Sequence, residues 1–195
     1  MITGKFPALR LRRSRKNDWS RRLIEENNLT PNDFILPIFI IDGKNKKQAI
    51  KSMPGVYRYS IDKLSTIIDK AIKNGLPMIA LFPHTKNEKK DILGSESLNE
   101  NNLVCKATQL IKKKYKNQIG IMCDVALDPY TSHGHDGLIK DGYVINDKTI
   151  EILKKQSLLQ AQMGCDVLAP SDMMDGRIGE IRKYLDKNGY NMTQI

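Results

Sequence analysis

Fourteen residues, DVALDPYTSHGHDG (Asp124 to Gly137), hold three aspartates, one tyrosine and two of the chain's three histidines. Such side chains can move protons, orient an amine or hold a cation. Asp128 and Asp136 are returned towards one another by a Gly-containing turn. Their oxygens suit a hard cation such as Mg²⁺ better than a thiolate-seeking one. His133 and His135 are zinc-ligand types, but no cysteine lies in this stretch to complete a zinc set. A second stretch, APSDMMDGR (Ala169 to Arg177), offers Ser171, Asp172 and Asp175. Each could cap a helix N-terminus, where an aspartate also suits the dipole, or serve an active site. For the first stretch the plainer alternative is a solvated loop turned by its Asp, Ser and Gly residues. Met173–Met174 reads as packing, His84 in FPHTK as a loop histidine, and Lys112 to Lys114 as a solvated helix face.

The elements that must position these residues alternate in kind. Short apolar runs at FILPIF, PMIALF, IGIMCDV and CDVLAPS predict strands. Between and after them, residues 61–75, 102–114, 149–164 and 176–189 have helical apolar spacing, with glycine stops at Gly75, Gly164 and Gly189. Ser60 is the expected N-cap of the first of these helices. The order is an arm over residues 1–30, then four β–α units over 31–195. Apolar strands alternating with amphipathic helices predict an α/β fold with a parallel sheet. All three polar stretches follow strand C-termini, the edge at which such folds bind ligands. No GxGxxG or GxxxxGKS loop follows the first strand, so a β/α barrel is favoured over a nucleotide-binding sheet. Four units alone would leave two open sheet edges.

Composition narrows the class. The chain has 195 residues, 40% apolar, and a formal charge of +10. That charge points to an acidic partner: nucleic acid, anionic membrane or small carboxylates. Cys105, Cys123 and Cys165 are odd in number and lack CxxC spacing, which fits a reducing, cytoplasmic setting rather than a disulfide framework. No apolar run approaches the ~20 residues of a membrane span, and no secretory signal precedes the arm. The arm's RLRRSRKNDWSRR (Arg10 to Arg22) would suit RNA phosphates, with Trp19 stacking on a base. One aromatic is thin support, and docking on a neighbouring subunit explains the arm as well, so nucleic acid is not the expected partner.

The segments RLRR, FILPIF, SMPGVYRYS, ALFP, DVALDPYTSHGHDG and LAPSDMMDGRI together resemble porphobilinogen synthase, the 5-aminolevulinate dehydratase family. The last two are long, ungapped and specific. The resemblance implies a TIM (β/α)₈ barrel, of which this chain holds the N-terminal arm and about the first four β–α units. It implies condensation of two 5-aminolevulinate molecules to porphobilinogen in haem and tetrapyrrole biosynthesis, a lyase reaction. It also implies a homo-oligomer, usually an octamer, whose arm embraces a neighbour. In the family's zinc branch the first stretch reads DVCLC…HGHCG; Ala126, Asp128 and Asp136 stand here in the three cysteine places. Asp124 matches the family's strand-end aspartate, placed to assist proton transfer or orient substrate amines. The candidate site is then Asp124 and Asp172 in supporting catalytic roles, with Tyr130 and Ser171 in the active-site loop. Asp128 and Asp136 face Mg²⁺ or no metal, and no organic cofactor is implied.

The family's two Schiff-base lysines lie in later segments resembling AKYxSxFYGPFR and MVKP, neither of which this sequence contains. A full barrel takes roughly 250 residues. The expected reading is the N-terminal part of the enzyme, either a fragment or one piece of a split enzyme that a C-terminal half completes, and inactive alone. A non-catalytic half-barrel that binds or assembles is the alternative, and a basic RNA-binding module a weaker one.

The donor set predicts no tightly held stoichiometric zinc. Elemental analysis of chain purified without chelator should find none. One zinc per chain that disappears in Asp128→Ala would refute the assignment of these carboxylates.

Overall fold

Burial alternates along the central strands, and that alternation builds the molecule. The computed structural model describes residues 4–195; Met1, Ile2 and Thr3, the start of the arm assigned to 1–30, lie outside the described residues. In chain order the elements are α1 (Asp18–Leu23), β1 (Ile35–Ile41), β2 (Lys47–Ala49), β3 (Tyr57–Tyr59) and α2 (Leu64–Lys73). Then come β4 (Met78–His84), α3 (Leu103–Tyr115), β5 (Gly120–Val125), β6 (Ile139–Lys140) and β7 (Tyr143–Val144). The last are α4 (Asn146–Gln162), β8 (Val167–Pro170) and α5 (Arg177–Lys187).

Strands β1, β4, β5 and β8 lie side by side in sequence order, all parallel, with α2, α3 and α4 making the crossovers. The four expected β–α units are all present. Ile38, Ile40, Ile79, Leu81, Ile121, Cys123 and Leu168 are essentially inaccessible. They join Leu64 and Ile68 of α2, Ile111 of α3, Leu153 of α4, and Ile181 and Leu185 of α5 in one core. Successive strand residues point to opposite faces. The intervening residues Phe39, Phe82, Met122 and Asp124 therefore share the other face, which is only half covered. Phe39 pairs with Phe82 across β1 and β4, their ring centroids 5.7 Å apart.

Several local expectations are corrected. Ser60 makes no side-chain cap; it is fully buried, and its hydroxyl accepts the Lys46 amide at 2.8 Å, tying α2's approach to the strand before it. The segment SMPGVYRYS is more than a loop: β3 pairs parallel with β1 at Phe39–Arg58 and Ile40–Tyr59, and β2 pairs antiparallel with β3. The first sheet edge is thus covered at its C-terminal end rather than open. The arm is not wholly irregular either, since α1 forms within it. Lys112 is no mere solvated charge. Its ammonium lies 2.6 Å from Asp166, whose other oxygen accepts the Ile121 amide at 3.0 Å. Gly164 completes that arrangement: it has φ +99°, and a Cβ there would meet the Lys112 Cγ at 3.0 Å.

At the far edge, Gln194 bridges parallel to Val167 of β8. Arg182 of α5 holds the approach, donating at 2.5 Å to the Thr193 carbonyl and at 2.8 Å to that of Tyr190.

With the Phe39–Phe82–Met122 face half covered, the isolated chain should self-associate or pair with a segment that closes the face. Size-exclusion chromatography with light scattering should show species larger than 22.2 kDa. A monomer with one cooperative melting transition would contradict this.

Candidate active site at the strand ends

The polar residues gather where β5 and β8 end. Asp124 and Ala169 are register partners, so Ser171 follows on just beyond Asp124. The Ser171 hydroxyl donates to Asp124 Oδ1 at 2.6 Å. Parallel pairing thus brings together two residues 47 positions apart. Behind them α4 supplies two glutamines: Gln160 Nε2 donates to the Asp124 carbonyl at 2.8 Å, and Gln156 Nε2 to the Ala126 carbonyl at 3.2 Å. Both glutamines are buried, and among the described residues the Oε1 of each has no hydrogen-bond partner. Sequence reading missed them. Their signal was present, since Leu153, Gln156, Ser157 and Gln160 follow helical spacing on one face, putting amides where an ordinary core would have apolar groups.

Asp172 is 1% exposed. It caps nothing on α5, whose N-cap is Gly176 in the left-handed region with no side-chain bond. Instead Asp172 Oδ1 accepts the Met174 amide at 2.7 Å. Arg177 Nε lies 3.1 Å from Asp172 Oδ2, but its N–H is not aimed at that oxygen, and neither atom has a hydrogen-bond partner among the described residues. The pair is a close electrostatic contact rather than a directed hydrogen bond. Asp175 caps nothing with its side chain; its amide donates to Asn146 Oδ1 at 2.7 Å. The methionine pair splits: Met174 is buried, whereas Met173 is 72% exposed and packs little.

The loop after β5 is laced to the loop after β4. The Asp91 amide donates to the Tyr130 carbonyl, and the Ser132 amide to the Asp91 carbonyl. Gly94 permits the contact: at φ +64° it lies where a Cβ would sit 3.4 Å from Thr131 Cγ2. Tyr130 is buried, and burial holds its phenol well above the usual range. Further along, the Thr131 hydroxyl donates to the His135 carbonyl at 2.7 Å, and His135 Nδ1 lies 2.7 Å from Asp136 Oδ1. Asp128 stands at the mouth with its side chain reaching solvent. His84 is not in a loop; it is the last residue of β4. Burial lowers its pKa, and the Arg58 and Lys90 charges lower it further.

The carboxylates form a field of like charge. Burial pushes Asp124 up; Ser171's hydrogen bond opposes this, and Asp128 and Asp172 add to it. Asp128 is raised by the protein packed around it and by repulsion from Asp136. Burial raises Asp172 too, against the Met174 amide and Arg177, with Asp136 adding repulsion. The structure therefore brings Asp124, Asp128, Asp136, Asp172 and Ser171 into one neighbourhood. Among the described residues no three His, Cys, Asp or Glu side chains converge as a metal cage. All three cysteines are free and buried.

The chain has relatives among known proteins. The family described as delta-aminolevulinic acid dehydratase matches residues 8–195. A protein of that name from Bradyrhizobium diazoefficiens is 54% identical over 188 residues, spanning 96% of this chain and 53% of its own length. Its namesake from Chlamydia pneumoniae is 45% identical, over 95% of this chain and 56% of its own. A namesake from Ruminiclostridium josui, 41% identical, is matched over 89% of its length. The crystal structure of the Toxoplasma gondii enzyme, solved with the reaction product porphobilinogen, superposes with a TM-score of 0.89 at 38% identity. It covers 94% of this chain and 52% of that one. The chain belongs to the delta-aminolevulinic acid dehydratase family, whose TIM-barrel fold it shares. It spans about half the length of the first two relatives and of the Toxoplasma enzyme.

The raised Asp124 pKa has a sign that can be checked. A carboxyl whose folded pKa exceeds its unfolded value of 3.8 favours folding only while protonated; stability is lost as pH rises through the folded pKa. Asp124→Asn keeps an acceptor for Ser171 and removes the charge. Its Tm should exceed the parent's by roughly 2 °C at pH 7, with the difference vanishing below pH 3.8. A variant less stable than the parent at pH 7 would overturn the assignment.

Proposed function

We propose that this chain is the N-terminal portion of a porphobilinogen synthase and carries the acid side of its active site. The carrying observation is the Ser171–Asp124 hydrogen bond of 2.6 Å at the ends of adjacent parallel strands, beside the buried Asp172. Two 5-aminolevulinate molecules are the substrates and porphobilinogen the product. A carboxyl raised by burial can hold a proton and pass it to or from a substrate amine or a departing water. Asp124 takes that role, Ser171 orients Asp124 and the substrate, and Asp172 supports the charge of the cationic intermediates. Tyr130 anchors the loop that carries Asp128 and Asp136.

If a metal joins this site, the donors favour Mg²⁺. Asp128 and Asp136 are hard carboxylates, and Mg²⁺ characteristically keeps several waters and takes only one or two carboxylates. Tight catalytic zinc does not suit the loop, because its thiolate positions hold Ala126, Asp128 and Asp136. The metal would supply charge neutralisation between the two aspartates, and no organic cofactor takes part.

The assembly is a homo-oligomer, an octamer in its full form, with the arm seated on a neighbour. Exposed Phe6, Leu11, Trp19, Leu23, Ile24 and Leu29 give the arm an apolar side that supports such docking. The compartment is the cytoplasm, which the three free thiols fit. No helix among the described residues is long and apolar enough to cross a membrane.

Imine formation needs a lysine that is neutral near pH 7 and aimed into the mouth. Lys89 is the contrary case: burial works to lower its pKa, but Asp42 and Glu96, 3.5 and 3.4 Å away, raise it on balance. Lys183 sits on the exposed side of α5, paired with Glu180. The proposal therefore places the Schiff-base lysines on a complementing segment. Borohydride with 5-aminolevulinate should leave the 195-residue chain unmodified, and supplying the later strands, in trans or in frame, should restore both trapping and porphobilinogen formation. A stable adduct mapped to one of this chain's own lysines would show that the site forms differently.

A further inference from the structure

A cavity of about 180 Å³ opens between the β2–β3 hairpin and α2, lined by Lys47, Tyr59, Lys63, Thr66, Ile67 and Lys70. It lies on the outer, helix-covered side of the sheet and shares no residue with the strand-end carboxylates. Its floor is apolar: Tyr59 and Ile67 both pack against the hydrophobic core. Its rim is cationic, with three ammonium groups and no acid among the lining residues. Lys47 also lies over the Tyr57 ring, 4.1 Å from its centroid. Among the described residues none of the three lysines forms an ion pair.

The acids nearest the rim take other hydrogen-bond partners, and Asp62 also lies within reach of the Lys63 charge. Asp62 accepts the Asn45 amide at 2.9 Å, and Asp69 accepts the Tyr115 hydroxyl at 2.7 Å on the side of α2 facing α3. A dianion placed among the three lysines meets no carboxylate in the lining, so its attraction to them is not offset by repulsion there. A protein cavity of roughly 150 Å³ admits benzene, so this one has room for a single ring above its apolar floor. Lysines act on phosphate as point charges rather than as the planar fork that arginine offers a carboxylate. The Thr66 hydroxyl adds a neutral donor at the same rim.

We propose that this cavity is a binding site for a small phosphate monoester carrying a ring-sized apolar group. The phosphate sits among Lys47, Lys63 and Lys70, and the ring rests on Tyr59 and Ile67. This site is separate from the condensing site, and its test uses no turnover.

Phenyl phosphate is the probe, titrated calorimetrically into the full chain, in whatever assembly state it adopts, alongside phenol and inorganic phosphate. Phenyl phosphate should bind saturably and more tightly than either fragment, and more weakly as salt rises. Lys63→Met and Lys70→Met keep the aliphatic stem while removing charge, and each should weaken binding by about tenfold. Lys113→Met, which removes a charge from neighbouring α3 outside the cavity, should leave binding unchanged. Three outcomes would overturn the proposal. One is no saturable binding up to about 10 mM phenyl phosphate. Another is undiminished binding in the Lys47/Lys63/Lys70→Met triple variant, provided it melts like the parent. The third is equal weakening by Lys113→Met, which would show a diffuse charge effect.

Discussion

Like charges drawn together at the ends of buried strands cost free energy, and most of the local architecture serves to hold them there. Asp124, Asp128 and Asp172 all have raised pKa values, each with desolvation as the leading cause and a second carboxylate adding to it. Nothing in the folding of the core asks for this. Ile121, Cys123 and Val125 bury the helix-facing side of β5 completely, and the strand would be as well packed with a neutral residue at 124. Carboxylates kept where they destabilise the folded state mark a site rather than a scaffold. The compensations are specific. Ser171 donates to Asp124, the Met174 amide donates to Asp172, and Arg177 lies against Asp172's second oxygen.

Those compensations depend on register. The Ser171–Asp124 contact exists because β8 runs parallel to β5 with Ala169 opposite Asp124. A slip of one residue would turn Asp124 into the helix layer and Cys123 towards the mouth. Two devices oppose such a slip. The Lys112–Asp166 pair, with Asp166 also taking the Ile121 amide, ties α3 to the entry of β8 and to β5. At the other end, Gln156 and Gln160 fasten α4 to the carbonyls of Ala126 and Asp124. One device fixes where the strands begin and the other where the charged ends emerge.

What the sequence made legible and what it hid follow from the range of the interactions. The four β–α units could be read because strand alternation and helical periodicity are local and repeat over whole elements. The mouth could be read because DVALDPYTSHGHDG and APSDMMDGR both follow strand ends. Ser60 was misassigned because a serine before a helix has the same local pattern whether it caps or, as here, binds Lys46 from another segment. The β2–β3 hairpin was hidden because three-residue strands carry almost no periodicity. Gln156 and Gln160 looked like ordinary helix polar residues until the helix face was counted. Lys112 looked solvated because its partner, Asp166, lies 54 residues away. Met173 and Met174, adjacent in sequence, had to diverge once the chain between β8 and α5 turned around Asp172.

The strand ends also carry an arrangement of charge that no single motif displays. Burial lowers the pKa of His84, and the charges of Arg58 on β3 and Lys90 beyond β4 lower it further, so two positive charges lie near the end of β4. Negative charge collects at the ends of β5 and β8. The two groups meet at one mouth, since the Lys90 charge also opposes the rise in the pKa of Asp128. The order of charge along the strand ends follows from the sheet topology, because each group's place is set by the strand that carries it.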